Sequence, residues 1–129
     1  MSISAVYSIL NADAGYNTAS SGGVFSYNAP ADVTKPYTIL FADNSGPIQS
    51  QGNAANKEWK DIIVATFATD VAGAKTLAAL ARTLLDDYQG TANGVAIEYC
   101  KYEGVELEDY DRELKKGVVE QRFRLCYVL

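Results

Sequence analysis

Histidine is absent from the 129 residues of this sequence, and cysteine, methionine and tryptophan are scarce. Histidine is the side chain whose ordinary pKa lies closest to neutral pH, and it is a common metal ligand. Its absence removes catalytic triads, most metal sites and neutral general bases. The composition therefore predicts a protein that is not an enzyme, with no catalytic residue, no cofactor and no metal.

Basic clusters and long apolar runs are missing as well. The formal net charge is −5, and sequence-independent nucleic-acid binding requires Lys and Arg to neutralise phosphates. No apolar run is long enough to span a membrane and no signal peptide is visible, so we expect a cytoplasmic protein without membrane contacts. Cys100 and Cys126 fall in separate strand-like segments, and we expect buried, reduced thiols rather than a disulfide.

The segment from Lys57 to Gly90 carries the strongest structural signal. Trp59–Thr69 is rich in β-branched and aromatic residues and predicts a strand. Asp70 is the expected N-cap of the helix that follows, and Gly90 the expected left-handed residue beyond its end. Apolar residues at helical spacing predict that this helix is long and amphipathic, with a buried face of Ala74, Leu77, Ala78, Ala81, Leu84, Leu85 and Tyr88.

Both faces of the predicted strand are mostly apolar. Ile63, Ala65 and Phe67 share one face, and Ile62 and Val64 share the other. One helix covers only one side of a small sheet, and a strand that is apolar on both sides is typical of burial on both sides. We therefore expect the N-terminal helix or a neighbouring subunit to shield the second face.

The remaining segments complete an α+β pattern. The fold expected for the single domain 1–129 is a mainly antiparallel sheet of about four or five strands, with one long amphipathic helix and a short N-terminal helix packed on it. In the last strand, Val119, Phe123 and Leu125 alternate with charged residues, and Gln121 is the one polar residue in the apolar row. The other expected elements are a helix at 4–11, strands at 24–28, 37–42, 95–103 and 118–129, a polar loop at 43–56 and a charged hairpin arm at 103–117.

Two polar segments are candidates for contacts. The loop at 43–56 contains a single large apolar residue, Ile48, and is either an assembly loop or simply flexible. The acids from Glu106 to Asp111 lack the spacing and the glycine of an EF-hand, which favours an exposed arm over a cation site. Asp86 and Asp87 oppose the dipole at the end of the long helix, so they are either surface charges or have another role.

The order of these segments resembles the tail-completion, or tail-terminator, proteins of long-tailed phages, prophages and gene-transfer agents. The resembling segments are AVYSILNADA, VFSYNAP, the Lys35-Pro36-Tyr37 turn running into TILF, DIIVATFAT, DVAGAKTLAALARTLL and VEQRFRLCYVL. The resemblance covers nearly the whole chain, and its motifs are patterns of apolar positions.

The resemblance implies a structural virion protein. Such a protein forms a ring, generally hexameric, on the head-proximal end of the tail tube, stops tube polymerisation and docks the tail to the head connector. Its implied partners are further copies of itself, the tail tube protein and the connector proteins, and the genome DNA passes through the lumen without specific binding. The implied location is the tail of the virion, after assembly in the bacterial cytoplasm. Another head–tail neck component and a small-ligand-binding α+β domain are the alternatives.

Ten residues are candidate contacts to a neighbouring subunit or to the tube. They come from the polar loop, the apolar strand, the end of the long helix and the charged arm. The candidates are Ile48, Ile62, Val64, Asp86, Asp87, Glu106, Glu108, Asp109, Tyr110 and Arg112.

Overall fold

The computed structural model describes residues 2–50 and 53–128, and the side chains of residues 3–46 and 57–128. In this part of the chain it contains three helices and six strands. No described helix combines the length and the apolar character needed to cross a membrane. The elements are α1 Ser2–Ala12, α2 Ala14–Ala19, β1 Val24–Ser26, β2 Tyr37–Ser50, β3 Asn53–Ala68, α3 Val71–Leu85, β4 Gly90–Ala92, β5 Val95–Asp111 and β6 Lys116–Val128.

The strands form one mixed sheet in the order β1-β2-β3-β6-β5-β4. Only β1 and β2 are parallel, and every other neighbouring pair is antiparallel. The α+β class with a mainly antiparallel sheet is confirmed, but the sheet has six strands instead of four or five. The extra strand β4 has three residues, too few for a sequence pattern, and pairs with β5 across the turn at Asn93 and Gly94, which both have positive φ.

A third helix, α2, lies between the predicted helix at 4–11 and the predicted strand at 24–28, where no further helix was expected. Asp13 is its N-cap, and its side-chain oxygen Oδ1 accepts a hydrogen bond from the backbone nitrogen of Tyr16 at 2.8 Å. The Tyr16 ring is buried, and its hydroxyl is 2.6 Å from the hydroxyl of Thr38 on β2. This tertiary contact stabilises a helix of six residues whose own propensity is weak.

Two long hairpins dominate the sheet. β2 pairs with β3 as far as Ser50 and Asn53, so the expectation of a polar loop at 43–56 was wrong for the described residues. The hydrogen-bonded ladder extends into this polar stretch because strand pairing uses backbone groups and does not require apolar side chains. A register shift lies between Ala42 and Ser45. β5 and β6 pair as far as Asp111 and Lys116, so the charged segment at 103–117 forms a hairpin, as predicted.

The long helix α3 begins as predicted and ends differently. The side chain of Asp70 accepts a hydrogen bond from the backbone nitrogen of Gly73 at 2.7 Å, which confirms the N-cap. The helix ends at Leu85, and Asp87, with φ of 63°, is the left-handed residue just past its end. Gly90 also has a positive φ, of 141°, as expected, but it lies in β4 and not at the end of the helix. Asp87 adopts this conformation because its backbone nitrogen donates to the backbone oxygen of Cys100 at 2.7 Å.

All the helices pack on one face of the sheet. Val6 and Leu10 of α1 join Leu77 and Leu85 of α3 in a single core with the strand residues beneath them, Leu40, Ile62, Val64, Phe123, Leu125 and Tyr127. Each fully buried large apolar side chain contributes roughly 1.5–3 kcal/mol to stability. The apolar row predicted for β6 is confirmed within the described residues, which exclude the side chain of Leu129.

The second face of β3 is shielded in a way that the sequence analysis did not predict. The N-terminal helix α1 does not cover it, because α1 packs beside α3 on the first face. Shielding by a neighbouring subunit stays a prediction. Ile63 and Ala65 are nevertheless only 2 % exposed. Their cross-strand neighbours cover them: Phe41 and Arg122 lie opposite Ile63, and Ile39 and Glu120 lie opposite Ala65.

Both cysteines are buried free thiols, as predicted. Cys100 lies opposite Leu125, and Cys126 lies opposite Tyr99, so the two sulfurs are on opposite faces of adjacent strands. Burial, with a smaller contribution from Asp86 and Asp87, raises the pKa of Cys100 to about 12. Because the strand register sets the two side chains on opposite faces of the sheet, it is incompatible with a disulfide between them.

Candidate functional site

The sheet face opposite the helices is the candidate site, and we call it the helix-free face. No helix of the described chain packs on it. The strand register sets its side chains in rows that cross β2, β3, β6 and β5. From one end of the sheet towards the other, the rows are Tyr37, Phe67, Val118 and Asp109, then Ile39, Ala65, Glu120 and Leu107, then Phe41, Ile63 and Arg122, and then Asp61 and Arg124.

The first rows are largely apolar. The rings of Tyr37 and Phe67 are stacked with their centroids 4.7 Å apart. Lys116 closes this end: its Nζ lies 4.9 Å from the centroid of Phe67 and donates to the hydroxyl of Tyr37 at 3.1 Å. Ile39, Phe67 and Val118 stay partly exposed. This end of the face therefore presents apolar surface with one cation that is already engaged.

The last rows contain an ion-pair network centred on Asp61, which is 2 % exposed. Its carboxylate accepts hydrogen bonds from Arg122 Nη1 and from Arg124 Nε, each at 2.9 Å. Arg122 also pairs with Asp43 on β2 and Glu106 on β5. The network therefore joins the four central strands of the sheet through one guanidinium.

Asp61 stays ionised and Arg122 stays protonated at neutral pH. Burial raises the pKa of Asp61, but hydrogen bonds from Arg124 and Arg122 outweigh this and hold it below its usual range. The hydrogen bonds to Glu106 and Asp43 raise the pKa of Arg122. Because a general acid or base needs a pKa near the working pH, these groups are suited to structural pairing and not to proton transfer.

Arg124 adds an aromatic contact to the same network. Its guanidinium carbon lies 4.0 Å from the centroid of the Trp59 ring, and its Nε lies 3.7 Å from a carboxylate oxygen of Glu103. The network was not predicted from the sequence. The available signal was Asp61, the one acid in the predicted strand Trp59–Thr69, directly before a run of apolar residues, where an unpaired carboxylate is costly.

Glu120 differs from the other acids of the helix-free face. It makes no ion pair and no side-chain hydrogen bond within the described residues, and it lies between Ala65 and Leu107. Burial, with a smaller contribution from Glu106, raises the pKa of Glu120. It is thus a half-buried carboxylate on a partly apolar surface, and no cation pairs with it within the described residues.

Two of the predicted contact residues belong to the core. Ile62 and Val64 are 0 % exposed beneath the helices, so their assignment to an interface was wrong. Periodicity showed that they share a face, but not that the helices cover this face. The apolar strand residues that remain near the surface are those of the helix-free face.

Asp86 and Asp87 connect the end of α3 to β5 through side-chain contacts. Asp86 Oδ1 accepts a hydrogen bond from the backbone nitrogen of Tyr102 at 3.1 Å, and Asp87 pairs with the exposed ammonium of Lys101. These contacts give both acids a structural role that offsets their unfavourable position at the C-terminus of a helix. A role in subunit contacts remains a prediction.

The charged-arm candidates are spread over both faces of the β5–β6 hairpin. Glu106 pairs with Arg122 on the helix-free face, and Glu108 pairs with Lys75 of α3 at 3.4 Å on the other. Asp109 accepts from the backbone nitrogen of Tyr110 at 2.8 Å. In the described chain, no group of three or more acids, cysteines or histidines is arranged to hold a metal ion.

Arg112 and Ile48 lie near the tips of the two long hairpins. Arg112 is exposed in the turn between β5 and β6 and makes no ion pair within the described residues. Ile48 lies on β2 opposite Lys57, and its side chain is not among those that the structure describes. Neither placement tests the predicted contact.

Two shallow grooves flank the sheet. One, of about 450 Å³, lies between the C-terminal ends of α1 and α3 and is lined by Ile9, Leu84 and Tyr88. The other, of about 460 Å³, separates the loop at 27–36 from the β5–β6 turn and is lined by Tyr27, Lys35 and Leu114 among others. Neither groove gathers several charged groups around one point.

Comparisons with known proteins support the architecture. No protein-family model matches this sequence, and no curated protein matches it. The fold is shared with a chain of a virion. That chain belongs to a solved structure described as the virion of a native gene transfer agent particle, and the TM-score is 0.79. The match covers 97 % of this chain and 92 % of that chain at 16 % sequence identity, so it establishes a common fold.

Proposed function

We propose that this chain is a structural virion protein that forms a ring on the head-proximal end of a phage-type tail tube. The ring ends tube polymerisation and joins the tail to the head connector, and the DNA passes through its lumen without specific binding. The observation that carries this proposal is the match of nearly the whole fold to a chain of a gene transfer agent virion. The segment order noted in the sequence supports the same role.

Features of the surface are compatible with assembly. Four of the large apolar residues that are exposed lie on one projecting hairpin, namely Val105, Leu107, Tyr110 and Leu114. Exposed apolar groups that are concentrated on one feature are typical of interaction sites. The pKa of Asp61 is lowered and that of Arg122 is raised, so both keep their charge at neutral pH, which suits a structural role better than a chemical one.

The test is electron microscopy of the purified protein mixed with tail tubes assembled from their tube protein. The expected result is ring-shaped density at one end of each tube, and tubes that stop lengthening when the protein is added at less than one copy per tube subunit. Density along the tube walls, or no binding to tubes, contradicts the terminator role. Binding only to isolated head connectors instead supports the alternative of a neck component.

A further inference from the structure

Glu120 is a half-buried carboxylate on the helix-free face, and it makes no ion pair within the described residues. Glu120 has Ala65 and Leu107 as its cross-strand neighbours, and Val118 precedes it on the same face. A half-buried carboxylate beside apolar side chains loses hydration without a compensating ion pair, which is unfavourable. A cation brought by another molecule removes this penalty.

The cations already on this face are engaged elsewhere. Arg122 holds Asp43, Asp61 and Glu106 with its guanidinium. Lys116 directs its ammonium to Tyr37 and the ring of Phe67, four residues along β6 from Glu120. The complementary cation therefore has to come from outside the subunit.

The same chain presents a matching group at the β5–β6 turn. Arg112 is exposed without an ion pair in the described structure, and Leu114, two residues on, is 58 % exposed. The turn is held in place: Asp111 Oδ1 accepts from the backbone nitrogens of Glu113 and Leu114, and Lys35 Nζ donates to the carbonyl oxygens of Leu114 and Lys115. It is a preformed projection that carries the exposed Leu114 beside two cations, Arg112 and Lys115, that make no ion pair within the described residues.

We infer that the β5–β6 turn of one copy docks on the helix-free face of a second copy, with Arg112 paired to Glu120. Leu114 then packs against the partly exposed apolar side chains around Glu120, namely Ile39, Phe67, Leu107 and Val118. The occupant is assigned from charge complementarity, and the choice of a second copy rests on the proposed function. Because the two patches are different, the contact is heterologous, and repeating it closes a ring when the rotation permits.

Charge reversal on each side tests this pairing. Sedimentation velocity over a range of concentrations measures self-association of the wild type, Arg112→Glu and Glu120→Lys. Each single reversal places like charges together and is expected to weaken association by about tenfold or more. An equimolar mixture of the two single variants restores it, because each interface in an alternating ring then joins opposite charges.

Controls separate this from misfolding. Asp32→Lys reverses an exposed acid in the loop at 27–36 and is expected to leave association unchanged. Glu120→Gln keeps the shape of the side chain, so it reports on the charge if Glu120→Lys fails to fold, as judged by circular dichroism. Its expected effect is a weaker association than the wild type.

Three outcomes overturn the inference: a wild type that stays monomeric at every concentration, no rescue in the mixture, or sensitivity to Glu120→Lys without sensitivity to Arg112→Glu. The last outcome points to a different basic group of the second copy as the partner of Glu120. None of these results decides whether the protein caps tubes, which the microscopy measures independently.

Discussion

Gln121 Nε2 donates a hydrogen bond to the backbone oxygen of Ala78 at 2.7 Å, in the buried layer between β6 and α3. This contact explains why one polar residue interrupts the apolar row of β6. The amide fills the space beneath the middle of α3. The Ala78 carbonyl oxygen accepts this hydrogen bond in addition to the one that α-helix geometry gives it from the backbone nitrogen four residues later. A buried polar side chain is acceptable here because its donor has a partner.

Gln121→Ala is expected to lower the free energy of unfolding by about 2–4 kcal/mol, because it removes a buried hydrogen bond and leaves a cavity. Gln121→Leu keeps most of the volume, and the Ala78 oxygen keeps its helical partner, so its expected loss is about 1 kcal/mol. Urea unfolding followed by circular dichroism measures both. Equal losses for the two variants contradict a cavity as the main cause.

The ion-pair network predicts a pH dependence of stability. Hydrogen bonds from Arg124 and Arg122 outweigh burial and hold the pKa of Asp61 below its unfolded value of about 3.9. The stabilisation from the Asp61 carboxylate is therefore complete above that unfolded value and is lost as the pH falls through the folded value. At pH 7, Asp61→Asn is expected to cost about 1.5–3 kcal/mol, because it removes the charge from buried, charge-assisted hydrogen bonds to two arginines.

The measurement is the free energy of unfolding of the wild type and Asp61→Asn between pH 7 and pH 2. The difference between them is expected to shrink as the pH drops below about 4. Asp32→Asn, at an exposed acid, is the control and is expected to change stability by less than about 0.5 kcal/mol. A difference that is constant over the whole pH range contradicts a role for the ionised Asp61.

Gly117 marks a close approach between the hairpin arm and the start of α3. A Cβ atom at this position would lie 2.3 Å from the carbonyl carbon of Asp70 and 2.4 Å from the nitrogen of Val71. Because these are backbone atoms, the strand or the helix start must move. Gly117→Ala is therefore expected to destabilise the protein by more than about 3 kcal/mol.

Gly94→Ala is the matched control for this steric effect. Its Cβ would meet no atom within 4 Å, and only its φ of +77° is unfavourable for alanine. The expected loss is about 1–2 kcal/mol. Thermal melts of both variants measure this difference in stability. A Gly117→Ala variant as stable as Gly94→Ala would show that the start of α3 moves aside at little cost.

Local periodicity was enough to predict the elements with strong patterns. β3 and α3 were found because β-branched residues and helical spacing occur in long uninterrupted runs, and the Asp70 cap has a clear chemical signature. The β5–β6 hairpin followed from alternation on both sides of a charged segment. These features depend on residues close in sequence, so a sequence alone specifies them.

The features that were missed depend on distant partners. Residues 43–50 form a strand because Lys57–Lys60 lie beside them, and no local preference of DNSGPIQS indicates this. Periodicity paired Ile62 with Val64, but only the packing of α1 and α3 shows that this pair is the buried one. The Asp61 network needs side chains from four strands, and their register is set by the whole sheet.

The β2–β3 hairpin extends past one end of the sheet and the β5–β6 hairpin past the other, as the pairing of Lys57 with Val128 and of Ala68 with Gly117 shows. Along the sixteen residues of β3, the rise of an extended strand corresponds to roughly 50 Å. Two partners that bind at the two ends of the molecule are therefore held well apart and do not compete for space. The protein, although small, is thereby suited to act as a spacer between two partners, and a substitution at one end leaves the other end undisturbed.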